Sequence, residues 1–528
     1  MYDLLIHQAK IIDGTGKEAY IADLGIIGER IVKIGTLNHE ESAGQIIQGH
    51  GLIVTPGFVD IHGHSDYTLL IDSQAESKIQ QGITTEVVGN CGYSPAPIKK
   101  PLLQERKQEY ENVFNISLDW QTFPEYLQRV ENSSPSLNYV FLVGYNTVRA
   151  SAMGFHNRKP SSNQTALMEK WIEEALDCGL FGLSIGLAYA PACFAQKGEL
   201  IKIARLVARH GGILTSHIRN EGNDLITSLE EVLTIAQKAD IPLQISHLKT
   251  EGRSNWWKVD QALEMIGSFR DKGVKVTCDR YPYLASQTSL QSLLPKWAQD
   301  GGTEAILNRL QDPATRQTIV RTMLTEFPEK DFWSTIYISL TASEQYKSYE
   351  GQNLAQLANF QKKSAIEIAL DLLEKEKTQV DIILFSMSEE NLNRILLYPW
   401  TMVASDSSSR SIKGPLRIGH PHPRSFGTFP RVIQKFCRQK KNLSLEEAVR
   451  KMTSLPCQKI GLKDRGIIKE GMFADLVLFD PQKISDQASY HSPFHYPSGI
   501  RLVVVNGQIC VKDTIYVKSG QGKILYKK

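Results

Sequence analysis

An α/β chain of (β/α)8, TIM-barrel type, carrying a small β-sandwich domain made from both termini, is what the sequence predicts. Three observations lead there. Apolar strand-like runs alternate with helical stretches through the middle of the chain, reactive residues recur at the C-terminal ends of those runs, and the two chain ends share a texture of short alternating strands.

Residues 1–50 contain Asp3-Leu-Leu-Ile-His, Lys10-Ile-Ile-Asp-Gly, Ala22-Asp-Leu-Gly-Ile-Ile and Arg30-Ile-Val-Lys-Ile-Gly, cut by Gly and Asp as in a small antiparallel sheet. Ala474-Asp-Leu-Val-Leu-Phe-Asp, Ile500-Arg-Leu-Val-Val-Val-Asn-Gly and Ile509-Cys-Val-Lys repeat that texture at the far end. The expectation is a discontinuous β domain of residues 1–54 and 465–528, with residues 55–464 forming a barrel inserted between them.

Inside that body the strand-like runs are 52–62, 84–89, 138–144, 180–187, 212–217, 242–247, 274–278, 381–386 and 401–405, nine candidates for eight barrel positions. The preferred solution makes 274–278 the seventh strand and 401–405 the eighth, with 381–386 as an extra, and the reverse assignment of the seventh stays open. Residues from 288 to about 350 carry amphipathic segments and read as an inserted subdomain leaving the barrel mouth, a candidate lid.

Composition narrows the function. Hydrophobic residues make up 41% and charged residues 22%, ordinary for a globular protein, and 60 Lys and Arg against 57 Asp and Glu leave no basic or acidic field for nucleic acid or a membrane surface. The N-terminus has no signal-like apolar segment and nowhere do 18 apolar residues run together, so a cytoplasmic protein acting on a small molecule is expected. Seven scattered cysteines argue against a disulfide framework.

The chemistry sits at strand ends. His62 and His64 follow the first strand and, two residues apart, project from one face, with Gly63 between them. Cys91 follows Val-Val-Gly-Asn, His217 follows Ile-Leu-Thr-Ser, His247 follows Leu-Gln-Ile-Ser and Asp406 follows Met-Val-Ala-Ser. In a parallel barrel these ends open onto one mouth. Imidazole, thiolate and carboxylate are the donors that zinc accepts, and these six suffice for two sites.

These motifs also carry a resemblance. Pro56-Gly-Phe-Val-Asp-Ile-His-Gly-His-Ser-Asp, Gly82-Ile-Thr-Thr-Glu-Val-Val-Gly-Asn-Cys-Gly, Ser216-His, Ser246-His-Leu-Lys, Asp279-Arg-Tyr-Pro-Tyr, Ser405-Asp and His420-Pro-His-Pro-Arg-Ser-Phe-Gly-Thr-Phe-Pro-Arg together resemble the N-acyl-D-amino-acid deacylase (D-aminoacylase) family of the amidohydrolase superfamily. The resemblance implies a zinc hydrolase that cleaves the linear amide of N-acyl-D-amino acids. It implies that Cys91, His217 and His247 hold one tight zinc, that His62 and His64 line a second, weaker or vacant position, and that Asp406 is the general base. It further implies that Arg424 grips the substrate α-carboxylate with Lys249 and Tyr281 as helpers, and that Tyr189 lines the mouth.

Three departures bear on the substrate. Gln287 stands where the family has a serine contact, Tyr145 stands where it has histidine, and the stretch between Asp406 and Arg424 is longer and more basic, with Arg410, Lys413 and Arg417. Two other readings compete: a cyclic-amide hydrolase of dihydroorotase or hydantoinase type, against which Cys91 argues, and a silent amidohydrolase-like protein, against which the complete ligand set argues.

Overall fold

The computed structural model describes residues 1–37, 42–100, 102–114, 116–329, 331–517 and 519–528. Its central feature is a row of parallel strands, each buried along its length. Phe58–Asp60, Ile83–Val88 and Asn138–Phe141 are neighbours in one sheet, while Val143–Gly144, Gly182–Gly186, Ile213–His217, Leu243–Ile245, Val276–Arg280 and Thr401–Val403 run side by side in another. Only Leu142 separates the third and fourth of these segments, and the Phe181 amide donates to the Phe141 carbonyl (3.0 Å) across the break. At the other extreme, the Asp406 amide donates to His62 O (2.8 Å) and the His64 amide to Ser407 O (3.0 Å).

Amphipathic helices separate the strands. Ser162–Asp177, Lys197–Arg209, Leu225–Ala239 and Val259–Asp271 each bury one apolar stripe, such as Leu229, Val232, Leu233 and Ala236, against the outside of the row. The helix over 162–177 starts at a Ser161 capping box closed by Gln164. Strands buried on both faces read as continuous apolar runs rather than alternating ones, which is why they stand out in the chain.

Val276–Arg280 is the strand that lies between Leu243–Ile245 and Thr401–Val403. Val380–Phe385 belongs elsewhere: it is the middle strand of a three-stranded antiparallel sheet with Ala285–Ser289 and Ile336–Thr341. This sheet and its helices enclose a separate apolar cluster running from Leu290 to Leu384, including Ile306, Ile338, Leu357 and Ile382. The excursion therefore continues well beyond residue 350, because its central strand is the last piece to arrive in the chain.

The chain ends meet in one nine-stranded sheet. Ile53–Pro56 pairs antiparallel with Leu476–Phe479, setting Thr55 opposite Val477, and parallel with Tyr2–Ile11. Leu4, Ile6, Leu24, Ile31, Leu478 and Leu502 pack in a common cluster. No helix among the described residues is long and apolar enough to cross a membrane.

Candidate metal centre and active site

The strand ends bring all six predicted donors together. His62, His64, Cys91 and Asp406 form one group and Cys91, His217 and His247 another, the donor atoms of each group lying within 4.8 Å of one another. Cys91 is common to both. The Gly between the first two histidines is required, since a Cβ at Gly63 would stand 1.9 Å from Glu86 Oε1. Cys91, His247 and Asp406 adopt positive φ of 52°, 35° and 50°, backbone strain that costs on the order of 1–3 kcal/mol at each residue and is met at functional sites.

Distances fit a bound cation. Donors about 2.0–2.3 Å from a tetrahedral ion stand roughly 3.3–3.6 Å from one another. Cys91 Sγ lies 3.6 Å from His247 Nε2 and 3.8 Å from His217 Nδ1. It lies 3.2 Å from His62 Nε2, and Asp406 Oδ1 lies 3.1 Å from His64 Nε2 and 3.4 Å from His62 Nε2. Two rings are also oriented from behind. His62 Nδ1 is 3.1 Å from Asp279 Oδ1 and His247 Nδ1 is 2.9 Å from Glu221 Oε1, so each Nδ1–H can donate to a carboxylate and leave the Nε2 lone pair aimed at the centre.

Electrostatics agree. Burial alone would push the Cys91 thiol up, but His62, His217 and His247 around it hold it well below its ordinary value, favouring thiolate. Burial would lower His62, and Cys91, Asp279 and Asp406 together raise it well above its ordinary value, so proton and cation compete for one lone pair. The residues present thus make a site for a divalent metal ion.

Asp406 is buried, which would raise its carboxyl, yet Arg424, His247 and His62 hold it well below the usual carboxylate range. Arg424 Nη1 donates to Asp406 Oδ2 at 2.8 Å and Nη2 to the Gln287 carbonyl at 3.4 Å, while Nε has no partner among the described residues. The guanidinium lies 4.7 Å from the centroid of the Tyr281 ring, and the buried Tyr281 hydroxyl is likewise without a hydrogen-bond partner there.

The other predicted helpers are committed to protein partners. Lys249 Nζ is buried and bonds both Glu221 oxygens at 2.7 and 2.6 Å, so its charge neutralises the carboxylate behind His247. The Gln287 amide donates to Ser339 Oγ (3.1 Å) and accepts from the His422 amide (3.2 Å), tying the excursion to the segment that carries Arg424. The Tyr189 ring lies tilted 4.7 Å from the His217 ring, with its hydroxyl 3.3 Å from Thr288 Oγ1. Tyr145 is buried and bonds Glu199, which Arg149 pairs at 3.1 Å. Lys413 is surface-exposed and Arg417 stacks on Phe494, whereas Arg410 is buried.

Three contributors were not among the predicted site residues. Asp279 and Glu221 orient the His62 and His247 rings. Beneath them Lys78, fully buried, contacts Asp60 Oδ2 (2.9 Å), Glu86 Oε1 (3.0 Å), Ser405 Oγ (2.8 Å) and Ser407 O (2.7 Å), binding together the segments that deliver His62, Cys91 and Asp406. Asp279 lies in a motif already singled out, but a lone Glu four residues after His217 gives no local signal. Glu221→Gln should weaken metal binding by about 10–100-fold, the scale for partners behind a ligand. A chelator competition titration reads this, and unaltered affinity would leave Glu221 as a counterion to Lys249 only.

A cavity of about 2020 Å³ opens over this centre, lined by Cys91, Tyr189, His247, Asp406, Arg410 and Arg424 among others, and by residues of the excursion on its far side. Comparison with known proteins matches residues 45–511 to the model of the amidohydrolase family. The chain is 32% identical over 527 residues to a D-aminoacylase of Alcaligenes xylosoxydans xylosoxydans, covering 99% of this chain and 97% of that one. It is 34% identical over 505 residues to an N-acyl-D-glutamate deacylase of the same organism, covering 96% and 93%. The crystal structure of the N-acyl-D-glutamate deacylase from Bordetella bronchiseptica, complexed with zinc and a phosphonate mimic of the tetrahedral intermediate, superposes with a TM-score of 0.84 at 31% identity over 99% of both chains. D-Hydantoinase from Thermus, at 16% identity and a TM-score of 0.56, shares the fold.

Proposed function

The chain belongs to the amidohydrolase family, in its N-acyl-D-amino-acid deacylase branch, and from that premise we propose that it hydrolyses the amide of N-acyl-D-amino acids to a carboxylate and a free D-amino acid. The observation that carries this is the Cys91, His217 and His247 donor set with the Asp406–Arg424 pair beside it. Zinc is the cofactor this donor set suits, held tightly by Cys91, His217 and His247, with His62, His64 and Asp406 around a second, weaker position that shares Cys91. When bound, the ion supplies Lewis acidity to the scissile carbonyl and to the attacking water.

The chain's own groups do the rest. Asp406 Oδ1, ionised and facing the histidines, takes the proton of the attacking water and returns it to the leaving amine nitrogen. Arg424 keeps Nη1 on Asp406 and offers its remaining edge to the substrate α-carboxylate, which fixes the amide beside the base. Tyr281 supports that guanidinium from below, and Lys249 acts through Glu221 on His247. Gln287 holds the Arg424 segment, and Tyr189 forms the wall beside His217.

The same reading closes the parallel strands into a (β/α)8 barrel over 55–464, through the bonds between the 62–64 and 406–407 segments. Residues 1–54 and 465–528 make the small β-sandwich domain, and the inserted subdomain is drawn at 285–385 to include its central strand. All seven cysteines are free, in keeping with a cytoplasmic setting. The test is a matrix of N-acyl-D- and N-acyl-L-amino acids with metal analysis. Zinc-containing protein should cleave members of the D series and leave their L counterparts; protein that holds zinc and cleaves only cyclic amides would overturn the assignment.

A further inference from the structure

Among the buried cationic side chains lining the cavity, Lys249 is neutralised by Glu221 at 2.6 Å and Arg424 by Asp406 at 2.8 Å. Arg410 differs. It lines the same cavity, retains only 9% of its exposure, and forms no ion pair among the described residues, and its Nη1 is buried without a hydrogen-bond partner. The acidic group that acts on it electrostatically is Asp381, on the excursion, which also lines the cavity. A guanidinium held out of water without an ion pair is costly, so such a group is retained where something else supplies the anion.

The loop around Arg410 is built rather than loose. Its amide donates to Ser77 Oγ (2.8 Å) and its carbonyl accepts from the Ser77 amide (3.1 Å). The preceding Ser409 amide donates to Ser65 Oγ (2.9 Å), and Ser409 Oγ bonds Thr68 Oγ1 (3.0 Å). The backbone is therefore pinned on both sides four residues beyond Asp406, and the side chain enters the cavity from a fixed base.

We propose that Arg410 binds a second carboxylate of the substrate, distinct from the α-carboxylate held by Arg424, so that the preferred substrates are N-acyl-D-amino acids bearing one further acidic group. That group is carried either on the amino-acid side chain or at the end of the acyl chain, and a planar guanidinium fork takes either one bidentately. The inference rests on the deacylase reading above and adds a charge requirement to it.

The experiment compares kcat/KM of the zinc-loaded enzyme on N-acetyl-D-glutamate and N-acetyl-D-aspartate, on N-succinyl-D-methionine, and on the neutral N-acetyl-D-glutamine and N-acetyl-D-methionine. One acidic arm should exceed the neutral substrates by about 10–100-fold, the scale of a hydrogen-bonded charge contact, and the arm that does so locates the carboxylate. Arg410→Gln should erase this ratio, and Arg410→Lys should restore part of it. Equal rates on acidic and neutral substrates, or an Arg410→Gln variant that lowers both alike, would overturn the inference. Should the glutamine variant fail to fold, the wild-type ratio and the lysine variant still decide. If N-acetyl-D-methionine is cleaved without any acidic preference, only the role of Arg410 falls; if no N-acyl-D-amino acid is cleaved, the deacylase reading falls with it.

Discussion

Asp406→Asn is expected to lower kcat on any cleaved N-acyl-D-amino acid by about 10²–10⁴, the range of general acid–base catalysis, while the tight metal position stays filled. The amide keeps the shape of the carboxylate but cannot take the water's proton. Its removal has a second consequence, because the substitution takes from the buried Arg424 the partner that now sits at 2.8 Å. Breaking one half of a buried pair costs about 3–5 kcal/mol, so the melting temperature should drop as well. Rates are therefore compared well below that transition, with metal counted in the same samples. A variant that loses its metal together with its rate would make Asp406 an essential ligand rather than the proton carrier. One that keeps both would remove it from the chemistry.

The clustering of the six donors was legible because reactive groups at parallel strand ends announce themselves twice, once by residue type and once by the apolar run before them. Val87-Val88 ahead of Cys91 and Met402-Val403-Ala404 ahead of Asp406 are buried throughout, and that burial writes itself as unbroken hydrophobicity. The same rule misleads at Asp381-Ile-Ile-Leu-Phe. A strand in the middle of a small antiparallel sheet is just as buried as one in a parallel row, and only its partners, Ala285–Ser289 and Ile336–Thr341, tell the two apart. Pairing is a tertiary fact with no local signature.

Orientation was harder to read than placement. Motifs pointed to Arg424 and Lys249, and a departure from one of them to Gln287, but not that Lys249 turns to Glu221 or that Gln287 bridges Ser339 and the His422 amide. Those choices follow from desolvation: a buried ammonium must find a carboxylate, and Glu221, which burial would otherwise raise, is held below the usual range by Lys249, His247 and His217. Lys78 belongs to the same class. Its neighbours Asp60, Glu86 and Ser405 come from three separate segments, and their meeting is visible only once the strands are side by side.

Cys91→Ala should empty the tight metal position and abolish turnover. Cys91 is the one donor common to both groups, and its thiolate lies 3.2 to 3.8 Å from three imidazoles. Removing it leaves His217 and His247 as a two-nitrogen remnant, below the three protein ligands a catalytic zinc site keeps. The loss should exceed the roughly 10–100-fold attributed to partners behind a ligand, so dialysed variant should hold well under one equivalent of metal where the wild type holds at least one. Packing effects are separable, since deletion of one sulfur atom changes volume little and Cys91→Ser keeps nearly the whole shape while remaining a poor zinc ligand. Serine and alanine should therefore fail alike in metal content while melting near the metal-free wild type. If instead either variant retains stoichiometric metal and near-normal turnover, Cys91 is a core thiol, and the centre must be rebuilt around His62, His64 and Asp406 without it.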